Sequence, residues 1–238
     1  MKRSFILLLF LSGILFSAFS QETPVPGKEK PKNVSPLRVA LNVGFSHNPS
    51  RIAEGIDPSL HSYMEKLKSG YHFGGDAAYY INRYFGVGAK VTFFKTSNSM
   101  SGLQFTDNEG NTRTGMLRDK ITVMMAGPTF TTRFLNASEK NALILNITPG
   151  IMTYKNNITL IDPYVLTGKT FGIAIDAGYD FGITDNLCIG VQLSFIAGAL
   201  KKVSVKGTGL PDLLTLPSDQ KESLFRFDFT IGLRFKND

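Results

Sequence analysis

The stretch from Phe225 to Phe235, FRFDFTIGLRF, alternates between large apolar residues and small or charged residues. Its odd-numbered positions are all apolar, and its even-numbered positions are Arg226, Asp228, Thr230, Gly232 and Arg234. Because successive side chains of a β-strand point to opposite faces of the sheet, this period of two predicts a strand with one apolar face. No convincing 3.6-residue periodicity competes with it from Leu37 onward.

The same alternation extends upstream and predicts eight strands in all. It is clear at 37–46, 71–81, 85–93, 170–181 and 187–195, and less regular at about 120–134 and 141–154. Pro128 and Pro149 interrupt these last two segments, so we expect bulges or strand ends there.

The predicted connections alternate in length. Long ones span 48–69, 96–118, 155–167 and 200–222, and short ones span 82–83, 135–140 and 184–186. An even number of strands joined in this way is typical of an antiparallel transmembrane β-barrel, with short periplasmic turns and long external loops. The sequence therefore predicts an all-β, eight-stranded barrel.

One face of these strands is rich in glycine, and the other carries bulky apolar residues. A water-facing strand usually favours residues with high β propensity, and glycine weakens it. Inside an eight-stranded barrel, small residues leave room for a few large side chains. We therefore predict that the apolar face meets lipid and that the glycine-rich face lines the lumen. The lumen is predicted to hold a self-neutralising charge network of Arg38, Asp76, Lys90, Asp176, Asp180, Arg226, Asp228 and Arg234.

The first 36 residues differ from the rest of the chain. Lys2 and Arg3 precede an apolar stretch that ends at Phe16, and the small residues Ala18 and Ser20 occupy positions −3 and −1 before Gln21. This pattern predicts a secretory signal peptide over 1–20, cleaved near Ser20–Gln21, because the apolar run is too short to span a bilayer. The Pro- and Lys-rich segment 21–36 is predicted to be a periplasmic linker, followed by the barrel over 37–235 and a tail over 236–238.

The composition excludes several classes of protein. The chain has 238 residues, of which 42% are apolar, and a mean hydropathy of zero, which excludes a polytopic helical membrane protein. The single cysteine, Cys188, excludes an internal disulfide framework and cysteine-rich metal sites. The net charge of +7 comes from scattered basic residues, so we predict no nucleic-acid partner.

The sequence contains no recognisable enzyme motif. His47, His61 and His72 lie in or beside the first long connection, and we interpret them as solvated loop residues because their spacing matches no metal site. No histidine lies on a strand beside a serine in a catalytic pattern. We therefore predict no catalytic residue, no metal and no cofactor.

The signal peptide, the eight strands and the terminal FRFDFTIGLRF together resemble the small outer-membrane β-barrel family of Gram-negative bacteria. The resemblance is to the OmpX/OmpW-like or PorT-like type, and the AFSQ cleavage region resembles those of Bacteroidetes proteins. It implies outer-membrane localisation, with lipid, lipopolysaccharide and the barrel-assembly machinery as partners. In that family the last strand is an assembly signal, which is matched here by Phe227, Phe229, Ile231, Leu233 and Phe235.

The sequence departs from this family at its tail, because the final aromatic is followed by three more residues. Basic residues at the start of the last long connection are candidate contacts for lipopolysaccharide phosphates, namely Lys201, Lys202 and Lys206.

Three functions stay open on this basis. The first is a non-enzymatic structural, surface-interaction or small-molecule passage role. The second, implied by the PorT-like resemblance, is a subunit of a secretion or envelope-assembly complex. The third, an envelope lipid-modifying enzyme, would need a Ser/His or Glu constellation at the lipid-facing rim.

Overall fold

The computed structural model describes residues 35–52, 56–106, 112–160, 163–207, 213–215 and 222–237. The predicted signal peptide and nearly all of the predicted linker lie outside these residues. The main strands are β1 Leu37–His47, β2 Ser69–Tyr80, β3 Phe85–Thr106, β4 Thr112–Leu135, β5 Ala142–Thr159, β6 Pro163–Gly182, β7 Leu187–Leu200 and β11 Arg226–Asn237. Shorter elements are helix α1 Pro58–Leu67 and strands β8 Lys202–Lys206, β9 Leu213–Thr215 and β10 Glu222–Ser223.

The eight main strands form a closed antiparallel ring. Each of β1 to β6 pairs with the next strand along the chain, and β11 pairs with both β7 and β1. The closing register places Leu37 opposite Asn237 and Val43 opposite Ile231. The prediction of an eight-stranded antiparallel barrel is confirmed.

Two of the predicted long connections are wrong. Most of 96–118 and 155–167 is paired strand, because β3 pairs with β4 as far as Thr106 opposite Thr112, and β5 pairs with β6 as far as Thr159 opposite Pro163. These extensions contain polar residues on both faces, so they lack the alternation that would have marked them as strands. A register shift between Ser101 and Leu103 accompanies a positive φ of 82° at Gly102.

The last connection also contains short strands. β8 pairs with β6 through Val165 opposite Lys206, β9 pairs with β8, and β10 pairs with the end of β7. These pairings extend the sheet beyond the ring at the end of the barrel where β7 finishes.

The two prolines lie inside strands and produce neither a bulge nor a strand end, which corrects the prediction. The pairs Ala126–Ile151 and Phe130–Ile147 flank Pro128 and Pro149 in one unchanged register, and this register sets the two prolines opposite each other. Since proline has no N–H to donate, the ladder between β4 and β5 is interrupted between these pairs. The hydroxyls of Thr129 and Thr148 bridge the gap at 2.8 Å.

The barrel exposes its large apolar side chains and buries its polar ones. Outward residues in mid-strand are well exposed, such as Phe229 at 62% and Ile147 at 49%, whereas inward residues on the same strands are almost fully buried. An apolar surface that surrounds the whole barrel far exceeds the patches found on soluble monomers. Among the described residues, no helix is long and apolar enough to cross a membrane.

Candidate functional site

The two ends of the barrel differ. The segments 81–84, 136–141 and 183–186 connect strands at one end, which we call the turn end. Helix α1, β8, β9 and β10 lie at the opposite end, which we call the loop end. Candidate functional residues occur in the lumen between these ends and in a pocket at the loop end.

The first charged group in the lumen lies near the turn end. The Arg38 guanidinium contacts Asp76 at 2.7 Å and Asp180 at 2.8 Å, and Arg234 contacts Asp180 at 3.2 Å. All four side chains are buried. Two cations and two anions therefore neutralise each other in a region that excludes water.

A second group contains one ion pair. Lys90 on β3 donates to Asp176 on β6 at 2.6 Å, and the Asn146 amide donates to the other oxygen of the same carboxylate at 3.4 Å. Because β3 and β6 are not neighbours in the ring, this pair crosses the lumen. It therefore fills the interior.

The third group is built on Asp228. The Ser46 hydroxyl donates to this carboxylate, His72 Nδ1 lies 2.7 Å from it, and Arg226 approaches it at 3.3 Å while also donating to Thr92. His72 is 3% exposed, so its interpretation as a solvated loop residue is wrong. His72 lies within the predicted strand 71–81 and shares the inward phase of Asp76 on β2, which places it in the lumen.

The structure thus places all eight predicted charge-network residues inside the barrel and divides them into three groups. Each group is neutral when His72 is uncharged. A buried charge costs several kcal/mol unless it is paired and hydrogen-bonded. Each charged side chain here has an oppositely charged partner, although Asp76 Oδ1, Arg226 Nη1 and Arg234 Nη2 have no hydrogen-bond partner among the described residues. The lumen is filled by side chains and backbone contacts at this level.

The sequence prediction missed Arg133. Its guanidinium stacks 3.7 Å from the Tyr80 ring centroid and donates to the carbonyls of Ser35 at 2.8 Å and Arg83 at 3.0 Å. Arg133 shares its inward phase with Thr129 and Thr131, so the phase of β4 would have identified it. Pro128 obscured that phase.

An apolar layer lies in the lumen toward the loop end and was also missed. Its members are buried and form one cluster: Phe94, Val123, Met125, Met152, Tyr154, Ala174, Ile196, Leu200, Val203 and Leu224. The predicted lumen of small and charged residues is therefore only part of the interior. This apolar layer closes the barrel above the ion pairs.

The other predicted residues lie at the surface. The proposed assembly-signal residues of β11 all face outward, with exposures between 40% and 62%. Lys201, Lys202 and Lys206 are exposed at the loop end, in and beside β8. His47 and His61 are exposed, and within the described part of the chain no three His, Cys, Asp or Glu side chains are grouped so that they could hold a metal ion.

Helix α1 folds over the mouth of the barrel at the loop end. Asp57 caps its first turn by accepting from the Ser59 amide at 2.8 Å, and the pKa of Asp57 is lowered by this bond. Tyr63 is buried and donates to the Asp119 carboxylate at 2.6 Å, while Asn98 donates to the Tyr63 carbonyl. Burial and the Asp119 hydrogen bond raise the pKa of Tyr63. These contacts fix the helix to the extension of β3 and β4.

A pocket of about 320 Å³ lies between α1, the segment 48–52, the segment 222–226 and the inner faces of β3, β4 and β5. We call it the loop-end pocket. Its apolar lining includes Phe94, Val123 and Leu224, which belong to the apolar layer. Its polar lining includes the acids Asp119 and Glu222.

These two carboxyl groups interact electrostatically. Burial and the negative charge of Asp119 raise the pKa of Glu222. Asn156 donates to Asp119 through its amide nitrogen, but its buried Oδ1 receives no hydrogen bond from the described residues. Within the described residues, the pocket lining therefore contains two neighbouring acidic groups, an unpartnered amide oxygen on Asn156 and an unpartnered Nη1 on Arg226, above an apolar floor.

No protein-family model matches the chain, and no curated protein matches it. Solved structures that resemble it include Neisserial surface protein A, at 13% identity over 85% of this chain and 98% of that chain, with a TM-score of 0.47. The outer membrane protein OprG from Pseudomonas aeruginosa is 10% identical over 85% of this chain and 97% of that chain, with a TM-score of 0.47. The attachment invasion locus protein Ail of Yersinia pestis is 18% identical over 84% of this chain and 99% of that chain, with a TM-score of 0.39. At these identities the similarity concerns the fold and not the function.

Proposed function

We propose that the chain is a non-enzymatic outer-membrane barrel whose lumen is closed to solutes and which works through its loop end. The observation that supports this most strongly is the combination of a belt of exposed apolar side chains around the barrel with three buried ion-pair groups inside. In this proposal the turn end lies in the periplasm and the loop end faces outward. Passage of small molecules would require these ion pairs to separate, so a structural or surface-binding role is favoured.

The lengths of the strands support this orientation. A tilted strand of about 9–11 residues crosses a bilayer, whereas β3 and β4 have 22 and 24 residues. Their excess lies at the loop end, where α1 docks on it through Tyr63 and Asp119. A rigid extension of this kind is suited to presenting a binding surface above the membrane.

The partners follow from the same placement. Lipid would surround the apolar belt, and the exposed Lys201, Lys202 and Lys206 would lie near the phosphates of lipopolysaccharide. The outward residues of β11 would be read by the barrel-assembly machinery during insertion. The predicted signal peptide over 1–20 would provide export.

The test is reconstitution of the purified protein in lipid vesicles and planar bilayers. We expect it to float with vesicles, to resist extraction by carbonate and to give no stable conductance. A steady single-channel conductance would contradict the closed lumen, and a wild-type protein that stays soluble without detergent would contradict the membrane assignment. Purification as a stable complex with other envelope proteins would favour the second candidate, a subunit of a secretion or assembly complex.

A further inference from the structure

We propose that the loop-end pocket binds a small amphipathic organic cation, a primary ammonium attached to a compact apolar group. The inference deepens the proposed function, and it rests on that proposal only in assuming that the protein binds its partners at the loop end. It follows from the charge, the unmet hydrogen-bonding capacity, the apolar floor and the size of the pocket.

The charge of the pocket is negative once its internal pairs are counted. Of the three basic residues that line it, Lys68 pairs with Glu65 at 2.7 Å, and Arg226 pairs with Asp228 through Nε, although its buried Nη1 has no partner among the described residues. Arg51 lies at the exposed rim. Within the described residues, neither Asp119 nor Glu222 forms an ion pair.

The acceptors of the pocket match the donors of an ammonium group. Asp119 is held in place by Tyr63 and Asn156, and each of its oxygens keeps capacity for a second hydrogen bond. Asn156 Oδ1 is a buried acceptor that finds no donor in the described structure, and the Asn156 side chain is 4% exposed. Together with Glu222, these groups offer three acceptors to the three N–H donors of a primary ammonium.

The floor favours an organic cation over a metal ion. Phe94, Val123 and Leu224 are buried apolar residues and provide no ligand for an inorganic cation. Two carboxylates alone are few for a calcium site, which takes six to eight oxygen ligands. The apolar surface would instead cover the hydrocarbon part of the ligand.

The size limits the ligand to a small molecule. A volume of about 320 Å³ lies at the lower end of the range of ligand pockets. It accommodates one aromatic ring system with a short aminoalkyl chain. A peptide or a polysaccharide chain would not fit inside it.

Tryptamine is a suitable probe because the chain contains no tryptophan, so the indole fluorescence comes from the probe alone. Its anisotropy would be measured against increasing amounts of the full-length protein in small vesicles of zwitterionic lipid, which contain no other indole group. We expect saturable binding of tryptamine and at least about 10-fold weaker binding of tryptophol, the alcohol of the same shape, because the charge-assisted hydrogen bonds are lost. The anion indole-3-propionate should not bind.

The variants Glu222→Gln and Asp119→Asn should each weaken tryptamine binding by about 10-fold or more. Glu139→Gln is the matched control, because it removes the same charge from the turn end, where Glu139 pairs with Arg83. Heat-modified migration on a gel would establish that each variant is folded.

Equal binding of tryptamine and tryptophol, stronger binding of the anion, or unchanged affinity in both pocket variants would overturn the inference. These outcomes leave the flotation and conductance results untouched, so failure of the ligand proposal is distinguishable from failure of the barrel proposal.

Discussion

At the scale of single residues, Asp180 is the centre of the buried charge near the turn end. Its two oxygens accept from Arg38 and Arg234, so one carboxylate compensates part of the charge of two guanidinium groups. All three side chains are at most 3% exposed. Removal of a single partner from such a site leaves buried charge without compensation, which costs more than the intact pair contributes.

Replacing Asp180 with Ala should therefore destabilise the folded barrel by about 3–5 kcal/mol. The measurement is urea unfolding of the protein in lipid vesicles, followed by gel mobility of unheated samples. Asp185→Ala is the control, because Asp185 lies exposed in the turn between β6 and β7. A loss of stability as small in Asp180→Ala as in the control would show that the network does not stabilise the barrel.

Which residues face the lumen could be predicted only where the alternation between apolar and polar residues was clear. Asp176, Asp180 and Arg234 lie in regular segments, so their inward direction followed from the period of two. Arg133 lies beyond Pro128 in a segment of uncertain phase. His72 lies within the predicted strand 71–81 and has the inward phase of Asp76, so its burial could have been predicted. The contacts among these residues could not be predicted, since they join strands that are far apart in the sequence.

At the scale of elements, each main strand has an outward apolar face in its middle part, and on β3, β4, β5 and β7 the inward face includes apolar residues toward the loop end. On β11, Phe229 and Ile231 are exposed while Asp228 and Thr230 are fully buried. On β3, the inward face passes from Lys90 through Thr92 to Phe94. The extended parts of β3 and β4 carry the docking site of α1 and so complete the loop-end pocket.

A charge in the middle of the outward face of β11 should block insertion. Phe229→Arg is expected to cost about 2–4 kcal/mol in a bilayer and to reduce the amount of assembled barrel in membranes. Met116→Arg is the matched control, because Met116 is 40% exposed on the loop-end extension of β4. If both variants assemble equally well, the outward face of β11 does not meet lipid.

The strands were predictable where one face is apolar, and not where both faces are polar. The segment from Lys95 to Ser101 contains Thr, Ser and Asn on both faces, so nothing in its periodicity distinguished a paired strand from a loop. Its pairing follows from the backbone hydrogen bonds that continue an existing hairpin. The sequence of helix α1 indicates a helix only weakly, because its few apolar residues with helical spacing form a short stripe of a kind that also occurs in loops.

At the scale of the whole molecule, the barrel is closed by the pairing of its first and last strands. β1 and β11 pair along their full length, with Phe45 opposite Phe229 and Leu41 opposite Leu233. Closure removes the unpaired edges that an open sheet would present to lipid. The position of the loop-end pocket depends on this closure, because the segment leading into β11 forms one of its walls.

A disulfide across the closing seam should form readily. Val43 and Ile231 lie directly opposite each other, at the Cα separation of about 4.5–5.5 Å expected in antiparallel pairs, which suits a disulfide. The double variant Val43→Cys/Ile231→Cys should therefore oxidise in folded protein and give a looped chain with altered mobility on a non-reducing gel. Cys188 is buried and should not take part.

The control pair is Val43→Cys/Leu233→Cys, in which the second position is displaced by two residues along β11. This pair should stay largely reduced, because diagonal neighbours in a sheet are too far apart for a disulfide. Efficient oxidation of the control and not of the direct pair would mean that the register of the seam is wrong.

The seam between β1 and β11 also sets an order of events in the life of the chain. Leu37 and Asn237 are 200 residues apart, so the second partner of β1 is made only after all the other main strands of the ring. Every other seam of the ring joins strands that neighbour each other along the main-strand order and can pair as a hairpin. Until β11 is available, β1 therefore has an unsatisfied edge and an exposed apolar face, and these are the features that expose an incomplete barrel to aggregation.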